Sequence, residues 1–139
     1  MKNRRLSVAI LIVAIMAAGS YYAYHLYNKP VQSLEKKKAD LKLTAQKLVE
    51  DYVANEQAAD SLYLGKVIEV QGTVSGILAS SEETKVHLDS GNPMAMVICT
   101  IEKGKDIGTA KMGDQVTIKG LCSGFLGDVH IEQANVITE

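Results

Sequence analysis

Cys99, Cys122, His87 and His130 are the side chains in the main segment of this 139-residue chain with the most chemistry open to them. Two thiols can close a disulfide, a thiolate with imidazoles can hold zinc, and an activated thiolate is a nucleophile. Spacing narrows these options. Twenty-two residues separate the cysteines, which matches no redox motif. His87 alternates with Lys85 and Asp89, and His130 with Asp128 and Glu132, so both imidazoles belong to the outer faces of strands. Cys122 is in phase with Val116 and Ile118 and belongs to an inner face. Ligands split between two faces cannot share an ion, so no metal is expected. No Ser-His-Asp set or carboxylate pair stands out either, and the chain reads as a non-enzyme that needs no cofactor. Two readings of the cysteines stay open: a disulfide stapling the third strand region to the end of the fourth, or two unpaired core thiols.

Cys122 lies in the stretch Lys119 to Asp128, KGLCSGFLGD. A phosphate-binding loop needs its glycines followed by Lys and Ser or Thr, then a helix whose amides face the anion. Here Gly124 and Gly127 lead to Asp128 and another strand. An acid at that point repels phosphate, so the stretch is expected to be a hairpin with Phe125 at its tip.

The elements that must position these residues are mostly strands. From Lys66, KVIEVQGTVSGIL alternates with period two, placing Ile68, Val70, Gly72, Val74, Gly76 and Leu78 on one face. Glycines on the inner side let a strand bend between the two halves of a small barrel. Four more strands are expected, over Thr84–Asp89, Met94–Ile101, Gln115–Cys122 and Asp128–Ile137, with a break at EKGKDIGTAKMGD. A long bent first strand, and a break between the third and fourth, is the plan of a five-stranded OB-fold Greek-key barrel.

Ahead of the barrel, Leu6 to Tyr24 is an uncharged run of nineteen residues, enough for a membrane-crossing helix over residues 6–24. Lys2, Arg4 and Arg5 precede it, and Tyr21, Tyr22, Tyr24 and Tyr27 sit at its far end, where phenol rings favour the headgroup region. A cleaved signal peptide is the alternative, with Ala17-Ala18-Gly19 supplying small residues. No cysteine adjoins the run, which excludes lipoprotein modification. The cationic N-terminus favours a single pass through the inner membrane with the barrel in the periplasm, although Lys29 and Lys36 to Lys38 load the other flank. Helical spacing of Leu34, Leu41, Ala45, Leu48, Tyr52 and Val53 predicts an amphipathic helix over 33–54, and Asn55 a second, capped helix ending before Gly65. The expected organisation is a signal anchor at 1–27, a helical stalk at 28–54 and an OB-fold domain at 55–139.

Tyr63-x-Gly65-Lys66, Val70-x-Gly72-x-Val74, Val97-x-Cys99, and Gly113-Asp-Gln-Val116 leading to Lys119-Gly120-x-Cys122-x-Gly124 together resemble the tRNA-anticodon-like OB-fold family of bacterial, Bacteroidetes-type envelope proteins. The resemblance covers about Asn55 to Ile137. It implies an OB-fold carried behind an export sequence, with no established activity. Two departures are the missing lipoprotein cysteine and Thr100-Ile101, where an aromatic is expected after the cysteine.

Fold is not function, so nucleic-acid binding has to face the charge count. From Asp60 onward there are six lysines, no arginine and eleven acids, a formal charge of −5. Tyr63 and Phe125 are the aromatic rings available besides two histidines, few for stacking bases. Both features disfavour nucleic acid as a partner. The expected function is therefore a membrane-tethered binding or interaction module for an unknown protein or small ligand, with a single-stranded oligonucleotide as the alternative. The expected ligand face lies across the second and third strands, at Lys85, His87, Asp89, Met94 and Met96.

Overall fold

The computed structural model describes residues 2–27, 34, 36–105 and 107–137, and the chain divides into two units, Met1–Gln32 and Ser33–Glu139. The first unit is one helix, α1 (Lys2–Tyr27), formed where the apolar run predicts it. Its apolar residues surround the axis instead of making one face, and Ile10, Leu11, Val13, Ile15 and Met16 are each more than 60% exposed. The side chains of residues 2–6, 9, 26 and 27 lie outside the description, and among the described residues no helix is long and apolar enough to cross a membrane.

The second unit contains β1 (Leu41–Thr44), α2 (Ala45–Ala54), α3 (Glu56–Tyr63), β2 (Val67–Ala79), β3 (Glu83–Asp89), β4 (Val97–Glu102), β5 (Gln115–Phe125) and β6 (Val129–Ile137). Strands follow one another in the order β2-β3-β4-β6-β5, and β5 returns to β2, closing a five-stranded barrel. β4 and β6 run parallel and the other barrel pairs antiparallel. This is the expected OB-fold. Its long first strand serves both halves: Val67–Thr73 pairs with β5 and Thr73–Ala79 with β3. A bulge between Val74 and Gly76 turns the strand over, so Ile77 packs on the core while Leu78, expected inside, is 60% exposed.

The helix expected over 33–54 is broken. Residues 28–33 and 35 lie outside the described residues. Leu41–Thr44 forms an extra strand, parallel to β2, with Leu41 opposite Ile68 and Leu43 opposite Val70. Asp40 locks this entry by donating its N–H to the Val67 carbonyl at 2.7 Å and accepting the Val67 N–H on its carboxylate at 3.0 Å. Helix geometry starts only after Thr44, whose hydroxyl caps it by accepting the Lys47 N–H at 3.2 Å. The same leucines fit helical spacing and the Leu-Lys-Leu-Thr alternation of a strand, and pairing with β2 decides between them.

From Ala45 onward the residues expected to form a stalk belong to the core. α2 buries Ala45, Leu48, Val49 and Tyr52 against the barrel interior lined by Ile68, Val70, Leu88 and Cys122. α3 follows as expected, with the Asn55 side chain accepting the Ala58 N–H at 3.0 Å. Asp51 ties the two helices together, since its carboxylate accepts the Tyr63 hydroxyl at 2.7 Å and meets Lys47. Lys47, then the Tyr63 hydroxyl, hold the Asp51 carboxyl below its usual range, while burial, then the hydrogen bond to Asp51, pushes the Tyr63 phenol up to about 12. A depressed carboxyl pKa contributes stability above the unfolded value of about 4 that is lost as pH falls through the folded value. Asp51→Asn is therefore expected to flatten the decline of stability as pH falls below about 4, read from urea midpoints across the acid range.

Candidate binding face

β3 is the centre of the candidate face. Val86 and Leu88 point into the core and are fully buried, which turns Lys85, His87 and Asp89 outward. Strand register adds the neighbours. His87 lies opposite Gly76 of β2 and opposite Ile98 of β4, and Ile98 in turn pairs with His130 of β6. Lys85 lies between Leu78 and Thr100 in the next row. The Thr100 hydroxyl donates to the Glu132 carboxylate at 3.4 Å. Gly76 matters because a Cβ there would stand 3.5 Å from His87 Nδ1, so its absence leaves the imidazole edge open.

Electrostatically this face is acidic. Lys85 is matched by Glu83 at 3.0 Å, Glu102 lies opposite Glu83, and Asp89 and Glu132 add further carboxylates. No Phe, Tyr or Trp stands on it. Such a surface offers imidazoles, a hydroxyl, carboxylates and two aliphatic side chains, Leu78 and Ile98. It can hydrogen-bond and attract cations, but it has no base-stacking platform and no excess of positive charge.

The structure brings Lys85, His87 and Asp89 together on one side of β3, while Met94 and Met96 precede β4. β4 starts at Val97, not at Met94. Met94 is 86% exposed in the β3–β4 loop. Met96 is half-buried beside the β5–β6 turn, its N–H donating to Asp128 Oδ1 at 2.8 Å and its carbonyl accepting from Val129 at 3.0 Å. Ile98, Thr100, His130 and Glu132 are the face residues that the sequence reading missed. Residues 95–101 are apolar at nearly every position, which hides which side of β4 faces out, and the parallel β4–β6 pairing leaves no local signal.

Of the two readings left open for the cysteines, the structure has the unpaired core thiols. Both cysteines are free and fully buried. Ile131 of β6 pairs with Cys99 on one side and with Cys122 on the other. In a closed five-stranded barrel with neighbouring strands about 4.8 Å apart, next-but-one strands are separated by roughly 8 Å. A disulfide tolerates at most about 7 Å between Cα atoms. Cys122 Sγ instead lies 3.5 Å from the Tyr52 hydroxyl. Burial, with the Glu132 carboxylate adding to it, pushes the Cys99 thiol up, the opposite of what a nucleophilic or metal-binding thiolate needs. Among the described residues no group of three or more His, Cys, Asp or Glu side chains could hold a metal ion.

Phe125 is corrected as well. KGLCSGFLGD is strand as far as Phe125, whose ring stacks on Tyr52 with centroids 5.5 Å apart. The tip is Leu126-Gly127, where Leu126 is 87% exposed, Gly127 has φ +87°, and the Leu126 N–H donates to the Asp128 carbonyl at 3.0 Å.

Comparison with known proteins agrees with this architecture. The tRNA_anti-like family model matches residues 1–135, so the match reaches well ahead of Asn55. A solved structure of similar fold is a proposed nucleic acid-binding lipoprotein from Klebsiella pneumoniae subsp. pneumoniae MGH 78578. It is 17% identical, with a TM-score of 0.59 over 70% of this chain and 92% of that one. At that identity the likeness carries the fold alone. A search of curated proteins finds no match.

Proposed function

The chain belongs to the tRNA_anti-like family, and from that premise we propose that it is a membrane-anchored, extracytoplasmic OB-fold module that binds a protein or small ligand without catalysis. The observation that carries the binding face is the outward cluster of Lys85, His87, Asp89, Ile98 and His130 across β3, β4 and β6, assembled by register alone. No activated nucleophile or metal set accompanies it among the described residues, which supports binding over turnover. The anchor is supported by the nineteen uncharged residues Leu6–Tyr24 and by a helix with apolar side chains all round, which a water-facing position does not stabilise. An envelope location is supported by the lipoprotein description of the similar structure.

A second reading, single-stranded nucleic-acid binding, is favoured by the fold and by the description of that same structure. The acidic face and missing aromatics weigh against it. Fluorescent oligo-dT titrated into the full chain at low salt separates the two. No saturable binding is expected. Binding that weakens steeply with added salt and is lost in Lys85→Glu would overturn the proposal in favour of the second reading.

A further inference from the structure

We infer that the barrel end beside α2 is a second docking site, built to receive one apolar side chain of a protein partner flanked by lysine or arginine. A recess of about 580 Å³ opens there. Its floor is the stacked pair Tyr52 and Phe125 with the buried Ala95, and Val53 and Met94 stand at its sides. Val53 is 56% and Met94 86% exposed, on α2 and the β3–β4 loop respectively. Two separate elements thus present apolar groups toward water beside the Tyr52–Phe125 pair. Exposed apolar residues gathered in this way mark interaction sites, and methionine adapts its shape to what it meets.

The loop that carries Met94 is held in place. Ser90 Oγ donates to the Ala95 carbonyl at 2.6 Å, the Asn92 side chain accepts the Met94 N–H at 2.9 Å, and Asp128 fixes Met96 across to the next turn. Met94 gains no burial from this scaffold, so the hydrogen bonds display the side chain instead of hiding it. Preorganised display lowers the ordering cost of binding. Charge selects the occupant. Glu56 lines the recess, no lysine or arginine does, and the segment from Asp60 onward is net −5. An apolar anchor with adjacent cations complements both features, whereas an anionic lipid surface is repelled.

The test uses the full chain, held soluble by an amphipathic polymer belt and labelled at its methionine methyls. The probe is a capped heptapeptide with leucine between two lysines. Saturable movement of the Met94 signal is expected, weaker by about tenfold or more with the leucine replaced by serine, as loss of one buried aliphatic group implies. Replacing the lysines by glutamate is expected to weaken it as well. A fluorescein-tagged copy of the leucine peptide, followed by anisotropy, should lose saturable binding to Met94→Ser, a change at an exposed position, and keep it with Met112→Ser, 69% exposed in the β4–β5 loop. Equal responses to all three peptides, no response, or equal movement at Met112 would overturn the inference. A Met94 shift produced by phosphatidylcholine vesicles and unchanged by peptide would also overturn it, assigning this end to lipid.

Discussion

A chain cut to begin at Asn55 will not fold, although the sequence places a domain boundary there. The cut removes β1 and α2, and with them Ala45, Leu48, Val49 and Tyr52, each at most 2% exposed. Burying one large aliphatic or aromatic side chain contributes about 1.5–3 kcal/mol, so losing three of that size and one alanine forfeits several kcal/mol. The loss also opens the core surface of Ile68, Val70 and Leu88 to water. Net stabilities of domains are only about 5–15 kcal/mol, and a deficit of this size consumes most or all of that. Circular dichroism and urea titration should show no cooperative transition for the chain starting at Asn55. A chain starting at Ser33, where the compact unit begins, should keep one. A cooperative transition in the shorter chain would mean that α2 rests on the barrel without completing its core.

Gly120→Ala is the single substitution expected to cost most, about 3 kcal/mol, with the urea midpoint falling at constant slope. The reason lies in the β5–β6 register. Lys119 pairs with Asn135, and Leu121 with Glu132, so Gln133 and Ala134 are squeezed in opposite Gly120 and Gln133 takes φ +53°. β6 therefore leans onto Gly120. An added Cβ would meet Ile131 Cγ2 at 2.4 Å, the Glu132 carbonyl oxygen at 2.9 Å and Ala134 Cα at 3.2 Å. Two of these atoms are backbone, and Ile131 is fully buried between the cysteines, so little can yield. Gly72→Ala makes the useful contrast. There the nearest atoms are Ala45 Cβ at 3.0 Å and Leu88 Cβ at 3.1 Å, both side chains; a small shift of α2 relieves the first, and β3 at Leu88 has to give by only a few tenths of an ångström. About 1 kcal/mol is expected, and equal costs at the two sites would refute the bulge as the cause.

These two glycines also show how far the sequence could be read. Inner glycines on β2 announced a bent strand shared between barrel halves, and the barrel formed as the alternation predicts. Gly120 gave no such notice, because the crowding comes from a bulge in β6 that is invisible without the partner strand. The candidate face divides in the same way. Lys85, His87 and Asp89 follow from period two on one strand, whereas Ile98, His130 and Glu132 join them only through long-range register. Met94 and Met96 read as strand because apolar character runs on past its true start, while their N–H groups donate to Asn92 and Asp128 and hold them in a loop. Leu41–Thr44 is the opposite case: its residues satisfy two periodicities, and only the β2 partner selects one.

The placement of Ile131 between Cys99 and Cys122 has a consequence for where the protein can mature. With no sulfur–sulfur bond to make, the barrel's folding equilibrium is the same in reducing and oxidising surroundings, and the chain depends on no thiol oxidase or isomerase. It can be refolded in the presence of reductant without losing its native state. Since both thiols are wholly shielded, alkylating reagents added to intact cells report nothing about the compartment the barrel occupies. A reporter of compartment has to be engineered on the surface, and the exposed Met112 is one position where a new thiol would disturb no core packing.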